Sequence, residues 1–95
     1  MERKYVLIGK MSVHASKIKD FVAIIEQVDI SKMNGCFSYD ISWDSSSVVV
    51  HEVWESEEHH DQALKDPHVL SLITQAMPLL DGTPTVLFEG ETYLS

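Results

Sequence analysis

The alternation of apolar and polar residues predicts four β-strands. Residues 5–13 and 36–43 alternate, residues 48–54 carry large apolar side chains on both faces, and residues 84–94 are rich in β-branched and aromatic side chains. Successive side chains of a strand point to opposite faces, so these patterns are typical of a sheet. Gly90 interrupts the last segment and predicts a β-bulge there.

Apolar residues spaced three and four apart predict a helix of about three turns after Ser16, which can act as its N-cap. The apolar stripe consists of Ile18, Phe21, Val22, Ile25 and Val28. Two shorter helices are predicted after Ser56 and Asp66, because both side chains are good caps and Pro67 suits the first helical position.

The order of these elements predicts an α+β fold of the ferredoxin-like, split βαβ kind, with an antiparallel sheet and helices on one face. The 95 residues are enough for one domain, predicted over residues 1–95. The other face of the sheet also carries large apolar side chains, and soluble monomers rarely expose such a patch. Two sheets are therefore predicted to meet face to face in a homodimer.

The charge of the chain excludes several classes of partner. Seven Lys and Arg residues stand against fifteen Asp and Glu residues, for a net charge of −8. This balance argues against nucleic acid and against an anionic membrane surface as partners. Neither an apolar run near the ~20 residues of a membrane span nor a signal peptide is recognisable, so a cytoplasmic location is expected.

No nucleotide-binding or metal-binding motif occurs in the sequence, so neither a cofactor nor a metal site is predicted. His59 and His60 are adjacent, but neighbouring helix residues point about 100° apart and cannot readily share one metal.

Two other residues stand out as candidates for proton transfer. Glu52 lies between Val50 and Trp54 on an otherwise apolar strand face. A carboxylate there is costly unless it is hydrogen-bonded, paired or protonated. It is therefore either a structural hydrogen-bond acceptor or a pocket carboxylate that moves a proton. His68 follows Pro67 in the first helical turn, where it is either a base or donor or a partly exposed helix-start residue.

Four segments, in this order and spacing, resemble the antibiotic biosynthesis monooxygenase family. They are Asn34-Gly35-Cys36-Phe37-Ser38-Tyr39, His51-Glu52-Val53-Trp54-Glu55-Ser56, Asp66-Pro67-His68-Val69 and Gly82-x-Pro84. The resemblance covers nearly the whole chain, with Asn34 where the family usually has Pro. It implies a dimeric α+β barrel of two ferredoxin-like subunits. Some family members are cofactor-independent monooxygenases that oxidise polycyclic or quinol substrates with O₂.

Carried over position by position, the resemblance implies a pocket between sheet and helices, lined or supported by Tyr39, Glu52, Trp54 and His68. Ala63 stands where the family often has a His, and His60, one turn earlier, could project from the same helix face. The Trp and His of haem-degrading relatives would fall near Ala63 and Ile73, so haem degradation is not expected.

The sequence thus predicts a cofactor-independent monooxygenase that oxidises a small quinol-like or anthrone-like aromatic with O₂. Its predicted catalytic residues are His68 and Glu52, either of which would act as the base. Its predicted substrate-binding residues are Trp54, Tyr39, His60, Phe21 and Met77. Two alternatives remain, a non-catalytic dimeric ligand-binding or stress-response module, which Ala63 favours, and an isomerase of a small signal metabolite. The scarcity of Arg and Lys after residue 33 argues against a phosphorylated substrate for the isomerase.

Overall fold

A computed structural model describes residues 3–93 as four strands and three α-helices, and the predicted strand residue Leu94 lies outside this range. The elements are β1 (Arg3–Ser12), α1 (Ile18–Ile25), β2 (Cys36–Trp43), β3 (Ser47–Trp54), α2 (Glu57–Ala63), α3 (Pro67–Ala76) and β4 (Thr85–Tyr93). Single 3-10 turns follow α1, at Ile30–Lys32, and α3, at Met77–Leu79. Within residues 3–93, every helix is too short or too polar to cross a membrane.

The strands form one antiparallel sheet in the order β2-β3-β1-β4. In its centre, Tyr5 of β1 lies opposite Trp54 of β3 on one side and Glu91 of β4 on the other. This order and these directions are those of a ferredoxin-like α+β fold, so the predicted fold class is confirmed.

The core lies between one face of the sheet and helices α1 and α3. One cluster of buried side chains there consists of Val13, Phe21, Ile25, Val48, Val50 and Ala76. Val48 and Val50 alternate along β3, and Phe21 and Ile25 are four apart on α1, as the apolar periodicities predict. Glu52 follows on the same face of β3, which directs it toward the helices.

The predicted caps of the two later helices are confirmed, and the predicted cap of α1 is wrong. The Ser56 hydroxyl oxygen accepts a hydrogen bond from the His59 amide, and the Asp66 carboxylate accepts from two amides at the start of α3. Ser16 instead has φ +69°, and α1 begins one residue later, after Lys17. A tight turn, closed by the Lys17 amide on the His14 carbonyl, places Ser16 in the left-handed conformation.

The sequence predicts a bulge in β4 at Gly90, and this prediction is wrong. The bulge lies at Leu87. Phe88 pairs with Ile8 and Val86 pairs with Gly9, which leaves Leu87 as the extra residue. Gly90 pairs regularly with β1, and a Cβ atom there would lie 3.2 Å from the Phe88 ring. The absence of a side chain at Gly90 therefore allows the Phe88 ring to pack closely against the backbone.

The homodimer stays a prediction, but the exposed side chains identify the surface that tests it. Phe88 lies opposite Ile8 on the sheet face away from the helices, and its side chain is 52% exposed. We expect Phe88→Asp to reduce the sedimentation mass from two chains to one at micromolar concentration, because a charge would be buried between the sheets. Leu70→Asp, on an exposed position of α3, is the matched control. A wild-type mass of one chain would contradict the dimer.

Gly35 provides a second prediction, for the turn before β2. It has φ +83°, and a Cβ atom would lie 2.5 Å from the His59 ring. Gly82 also has positive φ but faces open space. We expect Gly82→Ala to lower the free energy of unfolding by about 1–2 kcal/mol, from backbone strain alone. Gly35→Ala should lower it further, and His59→Ala in the same chain should recover part of the difference. Equal losses in denaturant unfolding would show that the ring contact is unimportant.

Candidate functional site

Two cavities lie side by side between the sheet and the helices. The larger has a volume of about 310 Å³ and the smaller about 100 Å³. Four residues belong to the linings of both, namely Ile25, Tyr39, Glu52 and Ile73. The two polar members of this shared wall, Tyr39 and Glu52, therefore face both spaces.

Glu52 is held in place by its neighbour on the same strand face. The Trp54 indole N–H donates to Glu52 Oε1 at 3.1 Å, and the Trp54 side chain is itself 1% exposed. Burial raises the pKa of Glu52 above the ordinary value for a carboxyl, while the Trp54 hydrogen bond and the nearby His60 lower it in part. Glu52 is therefore a fixed hydrogen-bond acceptor that also lies in the wall of both cavities, while its role in moving a proton stays a prediction.

Tyr39 lies opposite Glu52 in the pairing of β2 with β3. Burial, followed by the carboxylate of Glu52, raises the pKa of Tyr39 well above its usual range, so its hydroxyl stays protonated. Among residues 3–93 this hydroxyl has no hydrogen-bond partner. Its O–H is therefore available to a ligand beside the carboxylate.

His60 lies in the wall of the smaller cavity together with Ala63, so the two project from the same face of α2, as their spacing predicts. Its ring centroid lies 5.7 Å from that of Trp54, edge to face, and 5.8 Å from that of Tyr5. Its Nδ1–H donates to the Asp61 carboxylate at 3.1 Å. The imidazole is thus fixed between two aromatic rings.

The remaining predicted substrate-binding residues divide between the cavities. Phe21 and Met77 line the larger one, and Trp54 lines the smaller. Met77 and Val86 are the most exposed apolar members of the larger lining, at 60% and 61%, so the cavity opens to solvent between the end of α3 and β4.

His68 lies apart from this group. Its side chain is exposed, and its Nε2–H donates to the Gln27 carbonyl at 3.3 Å. It lines a separate depression with Asp29 and Asp66 and belongs to neither cavity that contains Glu52. The structure brings together six of the seven predicted site residues and leaves His68 outside.

Two residues of the site were not singled out from the sequence. Gly9, at the centre of β1, lines the larger cavity, where the absence of a side chain leaves room. Tyr5 contacts His60 and donates to the Glu89 carboxylate at 2.5 Å. The alternation of β1 places both residues on one face, but the contact with Glu89 depends on the pairing of β1 with β4, which no local pattern reveals.

The part of the chain that is described, residues 3–93, brings together no group of three His, Cys, Asp or Glu side chains that could hold a metal ion. The shared wall itself carries one carboxylate, that of Glu52, and one phenol, that of Tyr39.

Comparison with known proteins relates the chain to one family. A model of the antibiotic biosynthesis monooxygenase family matches residues 4–75. A solved structure from Chloroflexus aurantiacus, assigned to that family, is 30% identical over 97% of this chain and 93% of its own, with a TM-score of 0.79. SnoaB, a cofactor-independent oxygenase from Streptomyces nogalater, is 16% identical over 96% and 97% of the two chains, with a TM-score of 0.77.

A Caulobacter crescentus structure assigned to the family has a TM-score of 0.85 at 12% identity, over 96% of this chain and 91% of its own. At identities of 12% and 16%, the likeness of the chain to the Caulobacter structure and to SnoaB shows the fold alone. No functionally curated protein matches the chain. The family model spans most of the chain and the Chloroflexus structure covers nearly all of it, so the protein belongs to the antibiotic biosynthesis monooxygenase family.

Proposed function

We propose that this protein is a cofactor-independent monooxygenase that oxidises a small quinol-like or anthrone-like aromatic with O₂ at the wall shared by the two cavities. The observation that carries the proposal is a half-buried carboxylate, Glu52, with a raised pKa and a fixed orientation, beside an apolar cavity. A homodimer and a cytoplasmic location belong to the same proposal.

The larger cavity suits an uncharged aromatic substrate. Apart from Lys10, Tyr39, Glu52 and Thr85, its lining is apolar. Phe21 and Met77 give the flat rings of a substrate apolar contacts and displace water from them. Desolvation also strengthens each electrostatic contact between the substrate and the two polar groups of the shared wall.

Glu52 and Tyr39 divide the proton chemistry between them. The Tyr39 O–H donates to the substrate oxygen, and the Glu52 carboxylate takes the substrate proton. A carboxylate with a raised pKa is a better base toward a weakly acidic phenol or activated C–H than an ordinary one. The side chains deliver orientation and proton transfer, and the substrate delivers the electrons.

The reaction of an anthrone-like substrate balances with no further reactant. The deprotonated substrate passes one electron to O₂, which gives a substrate radical and superoxide. These join in a new C–O bond, and the resulting peroxide takes a proton back from Glu52. Glu52 then removes the remaining proton from that carbon, the O–O bond breaks, and hydroxide leaves as water. The CH₂ group has become a carbonyl, and both atoms of O₂ are accounted for.

Two further facts bear on this proposal. SnoaB, with the same fold, is a cofactor-independent oxygenase, which supports the reaction class. His68 receives no role, because its ring contacts a backbone carbonyl at the surface and not the wall around Glu52.

Oxygen uptake tests the proposed activity. We expect uptake above buffer and boiled controls for some member of a panel of quinols and anthrones. Glu52→Gln should lower kcat by about 10²–10⁴-fold, the range lost with a general base, and the loss should be matched in wild type below the pKa of Glu52. Glu58→Gln, exposed on α2, is the control. Absence of uptake over the panel would refute the activity, and full activity of Glu52→Gln would refute the base.

The same variant makes a prediction for stability. The raised pKa means that the folded protein holds the Glu52 proton more tightly than the unfolded chain, so the ionised carboxylate destabilises the fold as pH rises through that pKa. We expect Glu52→Gln to have a higher Tm than wild type at about pH 8, with a difference that shrinks toward about pH 4, where the carboxyl is mostly protonated in both states. Glutamine keeps an oxygen for Trp54.

Thermal unfolding of wild type, Glu52→Gln and Glu58→Gln at both pH values checks this expectation. Glu58→Gln should show no such gain. A Tm for Glu52→Gln that falls further below wild type at about pH 8 than at about pH 4 would show instead that the charged form stabilises the fold and that Glu52 is a structural acceptor.

A further inference from the structure

We propose that the smaller cavity is a separate compartment for dioxygen, next to the cavity that holds the organic substrate. This assignment rests on the proposed function for the identity of the gas. It is argued from the size of the cavity, the chemistry of its lining and its position relative to Glu52.

Size separates the two cavities by the ligands they can hold. A protein cavity of about 150 Å³ lined by apolar side chains holds one benzene molecule or xenon. The smaller cavity, at about 100 Å³, is below that volume. It has room for a diatomic gas and none for a fused aromatic, which fits only the larger cavity of about 310 Å³.

The lining of the smaller cavity favours an apolar occupant over water. Its apolar members are Ile25, Val28, Met33, Ala63, Leu64, Val69, Leu72 and Ile73. The Trp54 N–H is already bonded to Glu52, and His60 Nδ1 is bonded to Asp61. The Tyr39 O–H and the Glu52 carboxylate also face this cavity, but a substrate in the larger cavity holds both of them in hydrogen bonds and leaves neither for a water. An ordered water needs two or more polar partners, whereas an apolar gas needs none.

The position of the cavity places its occupant against the reacting carbon. Glu52 and Tyr39 face both cavities, so a substrate bonded to them from the larger side meets the gas across the shared wall. The electron passes from the deprotonated substrate to O₂ over that short distance, the C–O bond forms there, and Glu52 returns the proton to the peroxide. Because the two reactants occupy different spaces, their Michaelis constants should respond to different residues.

Xenon tests the compartment without any need for turnover. Under xenon pressure, methyl NMR spectra of the wild-type protein should show shifts at Ala63, Val69 and Leu72. Ala63→Leu should abolish the shifts at Val69 and Leu72, because three additional carbons fill most of the smaller cavity. Absence of xenon shifts at Ala63, Val69 and Leu72 in the wild type would overturn the proposal.

Steady-state kinetics test the identity of the gas. Ala63→Leu should raise the KM for O₂ by about tenfold, equivalent to about 1.4 kcal/mol, and leave the KM for the organic substrate unchanged. Met77→Trp narrows the larger cavity alone, so it should raise the KM for the organic substrate and leave the KM for O₂ unchanged. A rise in the organic KM with Ala63→Leu would show that one ligand spans both cavities and would overturn the proposal. Xenon binding without oxygen uptake on any substrate would refute the monooxygenase and the role of dioxygen, while the gas site itself would stand.

Discussion

A carboxylate on an apolar strand face is the constraint on which the site depends. Glu52 follows Val48 and Val50 on the face that builds the core, and the indole N–H of Trp54 holds its carboxylate in one orientation. Burial destabilises the ionised form of Glu52, and this raises its pKa and makes its carboxylate a stronger base toward a ligand. Trp54 contributes in two ways, since its ring fills the core at 1% exposure while its nitrogen fixes the charge.

The central strand β1 determines where the space for a ligand lies. Its two neighbours bring Glu52 and Glu89 to either side of Leu7, so the polar groups of the site come from strands far apart in sequence. Gly9 leaves a gap on this face between the residues that α1 and α3 cover. The cavities are consequently a product of strand pairing and of one missing side chain.

Local physics explains what the sequence could predict. The fold class, the caps at Ser56 and Asp66 and the common face of His60 and Ala63 follow from periodicity and from short-range hydrogen bonding. The predictions that were wrong, at Ser16 and Gly90, concern backbone conformations set by tertiary contacts, namely a turn onto His14 and the ring of Phe88. The exposed position of His68 likewise depends on how α3 packs beside Gln27, which no local pattern encodes.

The bulge at Leu87 has a consequence for how the protein can change. In a regular strand Val86 and Phe88 would share a face, but the extra residue turns Val86 toward the cavity and Phe88 toward the opposite side of the sheet. Val86 therefore affects the shape of the cavity, and Phe88, two positions later, affects the opposite surface of the sheet. Substitutions at one can accumulate without altering the other, and loss of Leu87 would leave a regular strand in which Val86 and Phe88 keep the same β1 partners and the same faces.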